Sequence, residues 1–237
     1  MKSKISVIVP CYKGSKTIFK VIKKIPTYVS KIYIVDDKCP EKTGYIVKKK
    51  FKNNNKIKVI FKNKNSGVGS AMKEGYYRSI RDKMDISVKI DSDGQMDPGL
   101  IKYFINPLIN QNYDYTKGNR FGSLKNLFLM PLKRTLGNIF FSLLAKITTK
   151  NFDIFDFHNG YIAIKNTALK KINYKSLDNT YFFETHLLYK LKKKKLKIKQ
   201  INMSPVYHNE KSSLKEFKIG FMFLKKHIKL FFGLNIN

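Results

Sequence analysis

The stretch Ile86-Ser87-Val88-Lys89-Ile90-Asp91-Ser92-Asp93-Gly94-Gln95-Met96-Asp97-Pro98 decides how the rest of the chain reads. An apolar run, Ile86 to Ile90, ends in two aspartates one residue apart, and Gly94 and Pro98 then break the strand. In extended chain, residues i and i+2 face the same side, so Asp91 and Asp93 point together at one small cation. At the carboxyl end of a parallel strand they open into the crevice where such sheets bind ligands. Hard oxygen donors with open coordination positions suit Mg²⁺ or Mn²⁺ carrying a diphosphate. A calcium loop fails further along, because its sixth position is Met96 rather than Gly and its twelfth is Lys102 rather than Glu.

Working outward, Ile5–Pro10 reads as a buried first strand, followed by the turn Cys11-Tyr12-Lys13-Gly14 and a helix that Ser15 can cap, running to about Val29. Lys31–Asp37 is a second strand ending in two carboxylates, and Ile57–Phe61 a third after a lysine-rich helix. The loop Asn63–Ser70 feeds a helix to about Asp82, and its Gly67 and Gly69 would let a nucleotide approach the backbone closely. It is neither a complete dinucleotide fingerprint nor a phosphate loop. Strands alternating with helices predict an α/β fold, a doubly wound, mostly parallel sheet with helices on both faces. Later strands are expected at Tyr113–Asn119, Tyr161–Ile164 and Lys197–Val206, and a helix from Tyr181 to the charge run Lys192–Lys195.

The formal charge is +32, and of 48 lysines and arginines only Arg78, Arg81, Arg120 and Arg134 are arginine. Such a charge favours anionic partners: nucleotide phosphates, anionic lipid surfaces or nucleic acid. Nucleic acid is not expected, because the carboxylates occupy the very crevice a polyanion would enter. Two cysteines, Cys11 and Cys39, make no disulfide framework and fit a reducing compartment. No long uncharged apolar window appears, so the expected location is the cytoplasm, peripheral on the inner face of a membrane. In the tail, Leu214, Phe217, Phe221, Leu224, Ile228 and Phe231 form one helical stripe with lysines mostly away from it, a basic amphipathic helix over 214–237 suited to a membrane interface.

Val7-Ile8-Val9-Pro10-Cys11-Tyr12, Ile34-Val35-Asp36-Asp37, Asn65-Ser66-Gly67-Val68-Gly69 and the Asp91–Pro98 segment, in that order, resemble the signatures of family 2 glycosyltransferases with the GT-A fold. Asp-x-Asp-Gly-Gln-x-x-Pro and Gly118-Asn119-Arg120-Phe121 are most similar to the polyprenyl-phosphate members, the dolichol-phosphate mannose synthase type. The likeness is strong over 5–121 and looser to about 213, which implies a transferase domain over 1–213 with a nucleotide-sugar half (1–121) and an acceptor half (122–213).

The resemblance implies roles for particular residues. Pro10 and Tyr12 line the base pocket, Asp36 or Asp37 meets base or ribose, and Gly67, Asp91 and Ser92 complete the site for a GDP- or UDP-linked sugar. Asp91, Asp93 and Gln95 hold Mg²⁺ or Mn²⁺. Arg120, Arg134 and Lys211 face the acceptor phosphate. Asp156, in Asp156-x-x-Asn159-Gly160, lies near the donor sugar, and Glu184 faces the acceptor; with Asp93 these are the candidate catalytic residues. A polyprenyl phosphate acceptor needs no strong base, whereas the hydroxyl of a surface glycan does, and Glu184 is then the candidate. The loop Tyr207–Ser213 lacks the arginine common in the lipid-phosphate members, which leaves the acceptor class open. His158 and His208 sit in motif-bearing loops, where structural and catalytic roles both stay open.

Overall fold

A computed structural model describes residues 3–122, 132–204, 216–234 and 236. The described strands are β1 (Ile5–Cys11), β2 (Lys31–Asp36), β3 (Ile57–Phe61), β4 (Ile86–Lys89), β5 (Tyr115–Asn119), β6 (Ile162–Lys165) and β7 (Ile198–Asn202). They form one sheet in the order β3-β2-β1-β4-β6-β5-β7, in which only β6 runs against the others. The mostly parallel expectation holds, and the single reversed strand lies inside the sheet, between β4 and β5.

Helices cover both faces. They are α1 (Ile18–Lys24), α2 (Thr43–Lys50), α3 (Val68–Arg81), α4 (Ile101–Asn110), α5 (Leu132–Thr149), α6 (Asn166–Lys171), α7 (Phe183–Lys193) and α8 (Glu216–Phe231). The pleat sorts the core. Val7, Val9, Ile32, Ile34, Val88 and Ile90 pack against α1 and α4, through Ile18, Val21, Phe104 and Leu108. Ile8, Tyr33, Val35, Ile162 and Ile164 point the other way, onto Met72 and Tyr76 of α3 and Leu187 of α7. Strands buried on both faces read as unbroken apolar runs, which is why β1 and β2 were legible in the sequence.

Several boundaries moved. Helix α1 starts at Ile18 behind Thr17 and stops at Lys24, short of Pro26, and no side chain caps it. Ser15 instead donates its hydroxyl to Glu41 (2.7 Å). Strand β4 ends at Lys89, so Asp91 and Asp93 stand on the loop beyond it rather than on the strand. The tail helix is described from Glu216, and residues outside the expected membrane stripe meet the domain. Phe223 and Leu230, joined by Phe182 and Ile236, make the contact.

Candidate active site

β1 and β4 are neighbours, and their carboxyl ends open on the same edge. The Ile90 N–H still donates to Ile8 O (3.1 Å), and beyond it the chain leaves the sheet. Asp93 accepts from the Gln95 N–H (2.9 Å) across a turn whose Gly94 has φ +82°. Asp97 closes the loop by accepting from the Gly99 N–H (3.0 Å), with Pro98 opening a single 3-10 turn. The Thr17 hydroxyl, donating to Ser92 O (2.6 Å), ties the loop to α1. Ser92 itself is buried, so it shapes the loop from inside.

Beneath this loop lies a floor of charge that the apolar reading of Ile86–Ile90 passed over. Lys89 is 2% exposed, and its Nζ lies 2.8 Å from Asp91, 3.3 Å from Glu184 and 3.2 Å from Gly160 O. Burial alone would lower its pKa, but the two carboxylates outweigh it and hold the ammonium above the ordinary lysine range. Lys117 of β5 is also fully buried and donates to Asn159 O. For Lys117 burial wins, despite help from Asp156 and Glu184, and its pKa falls to about 8. The only sequence signal for either residue was a lysine inside a strand pattern that otherwise called for a buried side chain.

Asp156 is fully buried and clasped by Arg120, whose Nε and Nη2 donate to its two oxygens at 2.7 and 2.8 Å and whose backbone N–H adds a third bond at 3.1 Å. Burial would raise its pKa, but the Arg120 guanidinium and Lys117 hold it below the usual carboxylate range. Three hydrogen bonds thus tie Asp156, expected near the donor sugar, to Arg120. His158 is partly buried next to them, and desolvation pushes its pKa down to about 3, which favours the neutral imidazole. His208 lies outside the described residues.

The pair ending β2 also serves the loops. Asp36 accepts from the Cys39 and Gly44 backbone N–H groups, both at 2.7 Å. Asp37 accepts from Ser66 N (3.1 Å), Gly67 N (2.8 Å) and Lys62 Nζ (2.8 Å). Both carboxylates are buried, so they hold the walls of the site rather than reach into it. Gly67 and Gly69 also lie against backbone. A Cβ on Gly67 would meet Asn179 O at 2.5 Å, and one on Gly69 would meet Asp178 O at 2.1 Å. The space these glycines leave is filled by the chain's own backbone ahead of α7. Pro10 is buried within β1, whereas Tyr12 is half exposed on the loop above it. Tyr181 is likewise half exposed; burial raises its pKa, and Asp91, Glu184 and Tyr12 are among the groups near enough to act on it.

Of the residues expected to face the acceptor phosphate, Arg120 is bound to Asp156. Arg134 stands in the first turn of α5 with its side chain outside what is described, and Lys211 lies outside the described residues. Among the described residues no three His, Cys, Asp or Glu side chains form a closed cage for an ion. Two carboxylates and one amide oxygen on a single loop, Asp91, Asp93 and Gln95, are nonetheless hard donors that fit a divalent cation completed by substrate oxygens.

The model of glycosyl transferase family 2 matches residues 6–173. This chain is a family 2 glycosyltransferase. A relative from Methanococcus voltae, named UDP-N-acetylglucosamine–dolichyl-phosphate N-acetylglucosaminyltransferase, is 29% identical over 216 residues, 86% of each chain. An uncharacterized protein of Methanocaldococcus jannaschii is 30% identical over 95% of this chain and 98% of its own. Among solved structures, glucosyl-3-phosphoglycerate synthase from Mycobacterium tuberculosis, in complex with Mn²⁺ and UDP-glucose, superposes with a TM-score of 0.71 at 20% identity, covering 98% of this chain and 80% of that one. The mixed sheet of this glycosyltransferase is therefore a GT-A fold, as the resemblance implied. No described helix is long and apolar enough to cross a membrane.

Proposed function

We propose that this glycosyltransferase moves a sugar from a nucleotide-diphosphate donor, UDP-linked by the precedent of its relatives, to a polyprenyl phosphate at the cytoplasmic face of a membrane, with inversion. The observation that carries the acceptor class is the state of Glu184. It is the carboxylate expected to face the acceptor, and it is ion-paired to a buried lysine shared with Asp91. A carboxylate held this way is a poor base for a hydroxyl. A phosphate acceptor is already anionic and needs placement instead. The Methanococcus voltae relative, by its name, uses dolichyl phosphate.

In this reading, Tyr12 and Tyr181 flank the mouth of the cleft and offer ring faces to the base. Asp93 and Gln95, with Asp91, would hold Mg²⁺ or Mn²⁺, which when bound supplies Lewis-acid neutralisation of the departing diphosphate. Arg120, fixed by Asp156, places the acceptor phosphate on the opposite side of the sugar. An acceptor oxygen forms the new bond to the anomeric carbon as the bond to the nucleoside diphosphate breaks, and the electron pair leaves on the diphosphate.

The test is thermal stability against UDP- and GDP-sugars with Mn²⁺ or with EDTA, followed by transfer to polyprenyl phosphate or to an oligosaccharide. A shift for one donor that disappears in EDTA and in Asp93→Ala is expected, since ligands that bind only the folded state stabilise it. Transfer to the oligosaccharide but not the lipid would overturn the acceptor assignment. A shift that persists in Asp93→Ala would overturn the metal site.

A further inference from the structure

Helix α8 is joined to the domain by rings and by a buried ion pair. Phe223, rather than the exposed Phe221, packs edge-on against Phe141 of α5 (centroids 5.6 Å apart) and Phe182 (5.4 Å). Beside these rings Lys226 sends its Nζ to the carboxylate of Asp178 and to the Thr180 hydroxyl (3.0 Å). Asp178 is 1% exposed and lies in the bend ahead of α7, and among the described residues Lys226 makes its only ion pair. The same carboxylate folds the bend on itself, accepting from the Thr180 N–H (2.7 Å) and hydroxyl (2.5 Å). The Asp178 N–H in turn donates to His186 Nδ1 of α7 (3.1 Å).

The backbone of this bend carries one wall of the donor site. Asn179 O accepts from the Ser70 N–H (3.0 Å), and Leu177 O from Lys73 Nζ (2.9 Å). The carbonyls of Asp178 and Asn179 fill the space beside Gly69 and Gly67, while the Gly67 N–H and Lys62 reach Asp37. Tyr181 follows Thr180 and stands half exposed at the mouth of the cleft. One short segment thus meets α8 through its side chains and the loop at 67–70 through its backbone. We propose that Lys226 is a positioning residue for nucleotide binding: from α8 it clamps the bend at 178–180, and the bend holds the loop at 67–70 and Tyr181 in register with the cleft. A buried carboxylate that loses its cation turns toward water, and the loop bonded to that bend moves with it. The inference rests on the proposed donor site and extends it to a residue far along the chain.

Hydrogen exchange reads the clamp without any ligand. In Lys226→Met and in Asp178→Asn, the amides of 63–71 and 177–182 should exchange at least about tenfold faster than in wild type, and Lys226→Arg should restore most of the protection. Calorimetry with UDP and Mn²⁺ then reads the site, and both weakening variants should raise the Kd for UDP by about tenfold. The two substitutions change the net charge in opposite directions, so a lost attraction for the anionic nucleotide would weaken binding in Lys226→Met alone. Lys229→Met, exposed on the same helix, should match wild type in both readings. If a single variant fails to fold, Lys226→Met/Asp178→Asn, which leaves no unpaired buried charge, carries the same expectation. Wild-type exchange at 63–71 in these variants would overturn the clamp, and faster exchange with unchanged UDP affinity would overturn its role in binding. Wild-type protein that binds no nucleotide would overturn the donor site instead, while exchange still decides the clamp.

Discussion

Replacing Lys89 by methionine isolates the charged floor. The ammonium lies 2.8 Å from Asp91 and 3.3 Å from Glu184, so without it the two carboxylate oxygens face one another across at most about 6 Å. At an effective dielectric of 20 that repulsion is about 3 kcal/mol, in line with the roughly 3–5 kcal/mol typical of a buried pair that loses one partner. In a chain of this size, about 3 kcal/mol lowers Tm by roughly 6–12 °C. Chemical denaturation of wild type, Lys89→Met, Glu184→Gln and the double variant closes a thermodynamic cycle. Glu184→Gln should cost stability in the wild type and restore part of it in Lys89→Met, with a coupling above about 1 kcal/mol. If Lys89→Met unfolds within about 0.5 kcal/mol of wild type, or the two substitutions simply add, the lysine does not hold the carboxylates and the argument from Glu184 to a phosphate acceptor collapses.

Other substitutions test separate parts of the structure. Gly69→Ala drives a Cβ to 2.1 Å from Asp178 O, a backbone atom, and should cost about 1–3 kcal/mol by denaturant melt. Gly137→Ala, on α5 with nothing within 4 Å of the new Cβ, should instead stabilise by about 0.5–1 kcal/mol. Lys117 has a folded pKa of about 8 against an ordinary 10.5, so the unfolded chain binds more protons between those values and stability should rise with pH across that window. Lys117→Met lacks this rise; its unfolding free energy relative to wild type should fall by on the order of 2 kcal/mol between pH 7 and 10 in denaturant melts, and parallel curves would contradict the assignment. Arg120→Lys keeps the charge but loses the two-pronged grip on Asp156, and kcat/KM for the acceptor should fall by at least about tenfold while donor-induced thermal shifts persist.

The strands, their alternation with helices, the family and the Asp91–Gln95 loop were all legible in the sequence, because each rests on neighbours in the chain. Apolar runs report strands buried on both faces, and two aspartates followed by Gly94 and Pro98 report a strand end and a turn. Long-range partners decided everything else. Lys89 and Glu184 come from opposite halves of the chain, and only the packing of α7 against β4 and β6 turns a stray lysine into a clamp on two carboxylates. Asp36 and Asp37 looked like ligand arms, yet which N–H groups reached them depended on how the loops after β2 and before α3 closed. Gly67 and Gly69 looked like room for a nucleotide and proved to be room for the backbone at Asn179 and Asp178. The tail shows the division most plainly. Its amphipathic period was in the sequence, but a helix with apolar residues on two sides can bury either, and the rings of Phe141 and Phe182 chose Phe223 and left Phe221 to the solvent.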